Sequence, residues 1–410
     1  MIDTNSIIKK ARKSFLSRED NRPWIEECYE YLQPARNGFK TKDLESKKQN
    51  TNSKIFDSTP INSAINFINT MSRSFTPLYN KWGKLEAGVS VPEDSRQELN
   101  EALEKNNDTI FQYLNVSNFA TSLHQFYFDW GIGTGALFLY ESNDVTNPFN
   151  FVAVPISELG LSEGINNKVD GIFREIKLEA RLIKPKWGNQ DNFKLTENLQ
   201  NLIQHKPDEN IDFIEALNYD YDNRVWRHKI IYEADKHELF EQVFEDQICF
   251  TPRWNKLSGN PYGRGVFAQA LPDIKTLNQM MKDYLDSAQL RLKPPIAVKK
   301  QGVHNLSSVR LAPLNIIPII GDEDINRVIR PLDYVGSFQE SQFLIETMRH
   351  NIKKIMLDNQ LPAQQATPAS AYEIAQRIKE IEISIGSAYA YGIEEFINPL
   401  YKRMATILYK

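Results

Sequence analysis

Apolar residues recur at helical spacing through the first third of the chain. Thr59 and Pro60 read as an N-cap and first-turn pair, and Ile61, Ala64, Ile65, Ile68, Met71 and Phe75 then share one helical face until Pro77 ends it. A charged helix over 94–114 and an aromatic-rich one over 119–130 follow. From Ala136 the pattern changes to short alternating or aromatic runs at 136–140, 149–154, 169–176 and 225–233. Asp170-Gly171 and Asp222-Asn223 supply turn signals among these strands. The Asn/Gln-rich stretch 184–208 is either a surface helix or a loop.

The last third carries the sharpest pattern. A helix is expected from Pro272 to Leu292 on the stripe Ile274, Leu277, Met281, Tyr284 and Ala288, stopped by Pro294-Pro295. A strand-rich stretch over 296–335 is punctuated by Gly302, Pro313, Pro318, Gly321 and Pro331. A second helix begins near Phe338, with Ile345, Met348, Ile352 and Ile355 on one face. Stripes of matching length predict an antiparallel helix pair with a small β-rich unit at its far end. Residues 360–371 carry no charge, and a last helix over 371–409 shows Ile374, Ile378, Ile381 and Ile385. No period of 20 to 50 residues repeats, which excludes a solenoid.

Composition narrows the function. The 410 residues are 41% hydrophobic and 25% charged, ordinary for a soluble globular protein. A net charge of −4 is wrong for a protein that coats nucleic acid. Two distant cysteines, Cys28 and Cys249, argue against a disulfide scaffold or a zinc site and fit a reducing compartment. The N-terminus has lysines and arginines but no apolar core segment, so no signal peptide is expected. The run 316–320 is broken by Pro318 and is too short to span a bilayer, so no membrane partner is expected.

Candidate chemistry is thin. Gly131-Ile132-Gly133-Thr134-Gly135 suggests a phosphate loop, but a helix precedes it and a strand follows, the reverse of a dinucleotide fingerprint. Gly160-Leu161-Ser162-Glu163-Gly164 matches a nucleophile elbow in letters, yet no helix follows the serine. The six histidines lack ligand spacing, and Asp322-Glu323-Asp324 reads as a solvated turn. No enzymatic activity, cofactor or metal is expected. On the expected helix over 272–292, Lys275, Gln279, Lys282, Asp286 and Gln289, with Lys293 beyond, lie opposite the apolar stripe. They form either a solvated face or the lining of a hydrated channel.

Several segments, taken in order, resemble the head-to-tail connector (portal) family of short-tailed bacteriophages. They are Ile55-Phe56-Asp57-Ser58-Thr59, then Phe75-Thr76-Pro77 with Lys81-Trp82, Asn118-Phe119 through Trp130 to Gly133-Thr134-Gly135, and Gly171-Ile172-Phe173-Arg174-Glu175. The clearest is Asn260-Pro261-Tyr262-Gly263-Arg264-Gly265, running on through Ala270-Leu271-Pro272-Asp273 to Pro294-Pro295.

The resemblance implies an α+β portal-type subunit. Its mixed α/β wing would span 1–262, stem helix 1 263–293, a small β-rich clip 294–336 and stem helix 2 337–359. A tunnel loop would occupy 360–371 and a C-terminal wing helix 372–410. Family members usually continue into a helical crown, so residues 1–410 are expected either to lack one or to be incomplete.

It further implies a homo-oligomeric ring, a dodecamer, at the portal vertex of the capsid, assembled in the host cytoplasm and carried in the virion. Double-stranded DNA would pass through it independently of sequence. Its partners would be the terminase packaging motor, a tail adaptor and the major capsid or scaffold protein. The channel lining is expected at Lys275, Lys282, Lys293, Gln360, Gln364 and Gln365, and adaptor docking at Lys299, Lys300, Arg310, Asp322, Glu323 and Asp324. A tail adaptor, a scaffold or an intracellular enzyme are the rival readings.

Overall fold

The computed structural model describes residues 3–34, 36, 54–78, 80–88, 91–142, 144, 146–190, 192–292, 296–298, 329–331, 338–358 and 386–409. Helices α1 (Thr4–Leu32), α2 (Thr59–Phe75), α3 (Glu93–Val116) and α4 (Phe119–Ile132) precede the strands. In α2 the buried face runs through Ala64, Phe67, Ile68, Met71 and Phe75, while Ile65 of the expected stripe stays half exposed. The N-terminal cap also shifts. Asp57 Oδ1, not Thr59, accepts a hydrogen bond from the first turn, from the Thr59 N–H at 2.8 Å.

Two antiparallel sheets follow. β1 (Leu137–Glu141) lies between β2 (Phe149–Ala153) and β8 (Cys249–Phe250). β3 (Leu159–Glu163), β4 (Val169–Glu179), β5 (Asn210–Asp220), β6 (Val225–Tyr232) and β7 (His237–Phe244) form a meander in chain order. Because side chains alternate across a strand, the meander needs cover on both faces. The start of α1 sets Ile7, Ile8, Ala11 and Phe15 against Phe173, Ile214, Ala216 and Ile231. The opposite face is partly covered by α5 (Ile183–Trp187) and α6 (Glu197–His205), whose Trp187 and Leu199 join Ile176, Phe213 and Ile230. The Asn/Gln-rich stretch is therefore two short helices, with Thr196 capping the second through the Leu199 N–H at 3.3 Å.

The expected helix pair is present. α7 (Val266–Leu292) starts ahead of Pro272, because Phe267, Ala270 and Leu271 are buried and that packing outweighs the one hydrogen bond the proline removes. β9 (Ile296–Val298) pairs antiparallel with β10 (Ile329–Pro331), and α8 (Phe338–Ile355) returns. Of the expected last helix, Ile374, Ile378, Ile381 and Ile385 lie outside the described residues. Its described part is α9 (Ser387–Gly392), a π-helical turn (Ile393–Ile397) and α10 (Asn398–Tyr409).

These elements close on one aromatic-rich core. Phe67 meets Trp254 and Phe267 at ring-centroid distances of 5.4 and 4.9 Å, Trp130 meets Phe75 at 5.0 Å, and Phe126 meets Phe396 at 4.5 Å. The C-terminal helices are thus stitched into the N-terminal ones.

Candidate functional site

The helix pair extends from this core. At 1.5 Å per residue α7 is about 40 Å long and α8 about 27 Å. On the contact side Ile274, Leu277, Ile345 and Ile352 are buried, with Met281, Tyr284 and Met348 packed beside them. The polar residues of α7 fall on the other side, as the spacing requires, and Lys275 and Lys282 are exposed. Lys275 is not a free cation: its Nζ donates to Glu27 Oε1 of α1 at 2.9 Å. That hydrogen bond raises the lysine's pKa. Lys293, Lys299, Lys300, Arg310, Asp322, Glu323, Asp324, Gln360, Gln364 and Gln365 lie outside the described residues.

The base of the pair is held by devices that apolar spacing does not reveal. At α7 the two glycine motifs meet in space. The Gly265 N–H donates to Ile132 O at 2.7 Å, the Trp254 N–H to Gly133 O at 2.9 Å and the Gly263 N–H to Thr134 Oγ1 at 2.9 Å. A Cβ on Gly265 would sit 2.1 Å from Gly131 O, and one on Gly133 2.1 Å from Gly263 O. These glycines permit backbone to lie on backbone; they do not cradle a phosphate. Tyr262 of the same motif seals the edge of the meander, accepting from the Leu161 N–H at 3.2 Å and donating to Leu159 O at 3.0 Å.

At α8 the anchor is Asp57. Burial alone would raise this carboxyl, but the Thr59 and Arg349 hydrogen bonds outweigh it and hold it below its ordinary value. Arg349 reaches Asp57 Oδ2 through Nε at 2.9 Å and Nη2 at 2.8 Å. Beside it, Asn278 of α7 accepts from the Phe56 N–H at 2.8 Å and donates to Lys54 O at 2.9 Å. Residues 54–57 therefore tie both long helices to the start of α2. Further along, Asp358 accepts from Ser63 Oγ at 2.8 Å and Asn66 Nδ2 at 2.9 Å.

Arg253 ties the C-terminal segment in the same manner. It is buried, bonds both oxygens of Glu395 in the π-helical turn, and reaches Glu163 at 2.6 Å and Asn167 O at 3.0 Å. Sequence reasoning passed over Arg253, Asp57, Arg349, Asn278 and Asp358. The only signal was Asp57 standing just before a helix start, which reads as local capping.

Other ionisable groups are buried within the body. Glu215 accepts from Tyr140 Oη at 2.6 Å and is 2.8 Å from His228 Nε2. Burial would raise it, but His228, Arg174 and Tyr140 together bring it down to about 2. Ser162, the elbow candidate, lies on edge strand β3 with its hydroxyl donating to Asp170 at 2.7 Å. Burial pushes the Cys28 thiol up to about 12, so it stays protonated. Among the described residues no group of three or more His, Cys, Asp or Glu could hold a metal ion. No described helix is long and apolar enough to cross a membrane.

The two long helices are thus tied to the core by backbone contacts, hydrogen bonds and ion pairs. Compared with protein-family models, residues 4–410 match the one described as bacteriophage head to tail connecting protein. No curated protein matches the chain.

Proposed function

Because the chain belongs to the bacteriophage head to tail connecting protein family, we propose that it is a portal subunit whose α7–α8 pair is the stem of a ring. The observation that carries this is the helix pair itself, 27 and 18 residues long. Its stripe of Ile274, Leu277, Ile345 and Ile352 is buried within the chain, whereas Leu285, Phe343 and Leu344 stay exposed beside the polar positions, as a pair with neighbouring subunits requires. In a closed ring the polar face, repeated once per subunit, encircles a hydrated channel. Double-stranded DNA passes through it during packaging and ejection. A net charge of −4 suits a channel that passes DNA without holding it, since each phosphate contact adds affinity.

The ring, a dodecamer, sits at a capsid vertex, where the terminase motor and then a tail adaptor engage it. The capsid or scaffold surrounds it. Of the lysines proposed to face the DNA, Lys275 and Lys282 are both exposed, and Lys275 shares its charge with Glu27. Among the described residues Lys282 is therefore the stronger channel cation, with Lys293 proposed beyond them. Residues 294–336 supply the adaptor-binding clip.

Electron microscopy of the purified full chain tests the reading. Rings with a central hole and the helix pairs lining it are expected. Monomers or dimers under every salt condition would refute it.

A further inference from the structure

α8 ends in a left-handed turn built on a residue that disfavours it. Leu357 has φ 56°, a region where a side chain's Cβ crowds the following carbonyl. The Asp358 N–H donates to Lys353 O at 2.9 Å and the Leu357 N–H to Lys354 O at 3.3 Å. This is a Schellman-type helix end, in which the left-handed position is usually glycine. Strain of this kind persists only where the surroundings impose it.

Two contacts impose it here. The Leu357 side chain is buried against the main core. Asp358, 7% exposed, takes one hydrogen bond from each of Ser63 and Asn66 on α2. Were α8 to continue regularly, position 357 would fall on the side of His350, Lys353 and Lys354, all exposed. The left-handed turn is thus what carries Leu357 inward.

We propose that residues 356–358 are a latched hinge, closed by Asp358 on Ser63 and Asn66. With the latch shut, the chain leaves α8 through the strained turn and Leu357 is inside. With it open, Leu357 returns to right-handed helical angles, its side chain moves to the solvent side, and the chain departs α8 in another direction. The Arg349–Asp57 clamp holds the preceding turns of α8, so the movement is confined to the helix end. The hinge does not depend on what the helix pair encloses.

Thiol labelling of the full chain tests it, because Cys28 and Cys249 are both buried. The probe is Leu357→Cys reacted with a maleimide, with the latch intact or removed by Ser63→Ala and Asn66→Ala. Ile352→Cys, at a fully buried position on α8, reports on the helix itself. Opening the latch should speed labelling at 357 by at least ~10-fold, the factor expected for losing a hydrogen bond to a carboxylate, and leave 352 unchanged. No change at 357, or equal acceleration at 352, overturns the hinge. A nitroxide on the same cysteine separates a second ordered position from a frayed end. A helix-surface line shape supports the hinge, and a narrow isotropic one overturns it.

Discussion

Asp129 offers a direct measure of how burial governs this core. It lies near the end of α4, fully buried, and accepts hydrogen bonds from Tyr29 Oη and from Gln125 Nε2 at 3.0 Å. Burial outweighs these bonds and the nearby Arg36 charge, and raises the carboxyl from 3.8 to about 6. A group whose folded pKa exceeds its unfolded one contributes its full stability below the unfolded value and loses it as pH rises through the folded one. The shift from 3.8 to about 6 corresponds to about 3 kcal/mol. Asn fits the same space, accepts from Tyr29, and can pair with Gln125 if that amide turns over. Asp129→Asn should therefore show a stability gap to wild type that grows from near zero at pH 4 to about 3 kcal/mol in the variant's favour at pH 7.5. Urea unfolding of both proteins at matched concentration, at pH 4, 5, 6, 7 and 7.5, measures it. A constant offset at every pH would report only altered hydrogen bonding. An offset of that kind, or a gap that closes as pH rises, refutes the reasoning.

Two further substitutions probe the body. Gly265→Ala forces a Cβ against the Gly131 carbonyl and should cost about 3 kcal/mol; Gly259→Ala, at φ 80° with nothing within 4 Å, should cost only about 1 kcal/mol. Comparable thermal shifts for the two would sink the backbone-lock account. Glu215 is lowered from 4.5 to about 2, so its contribution is present above pH 4.5 and lost as pH falls through 2. Glu215→Gln should cost about 3 kcal/mol at neutral pH, with the difference shrinking below pH 4.5 when urea midpoints are compared. A cost that does not change with pH is the contrary result.

How far the sequence reached depended on the range of the interaction. The apolar stripes of α7 and α8 were legible because a helix repeats its buried side every three or four residues. That repeat follows from local geometry alone. The strands at 137–141, 149–153 and 225–232 were legible as short alternating or aromatic runs. The order around Gly131–Gly135, a helix before and a strand after, was legible as well.

Spacing says which side of an element is covered, but not by what. Nothing near Gly265 in the chain indicates that its Cβ space belongs to Gly131, since the two are brought together only when α7 docks beneath α4. Lys275 read as an open cation, and only the crossing of α1 beside α7 gave it Glu27. Pro272 read as a helix start, until the burial of Phe267 and Ala270 decided otherwise.

Asp57 had no role assigned from the sequence, where Thr59 read as the cap, and the fold gave it Arg349 from almost three hundred residues downstream. Each of these is a pairing between distant segments. It is fixed by which surfaces can be buried together, and that is a property of the assembled core rather than of any stretch of residues.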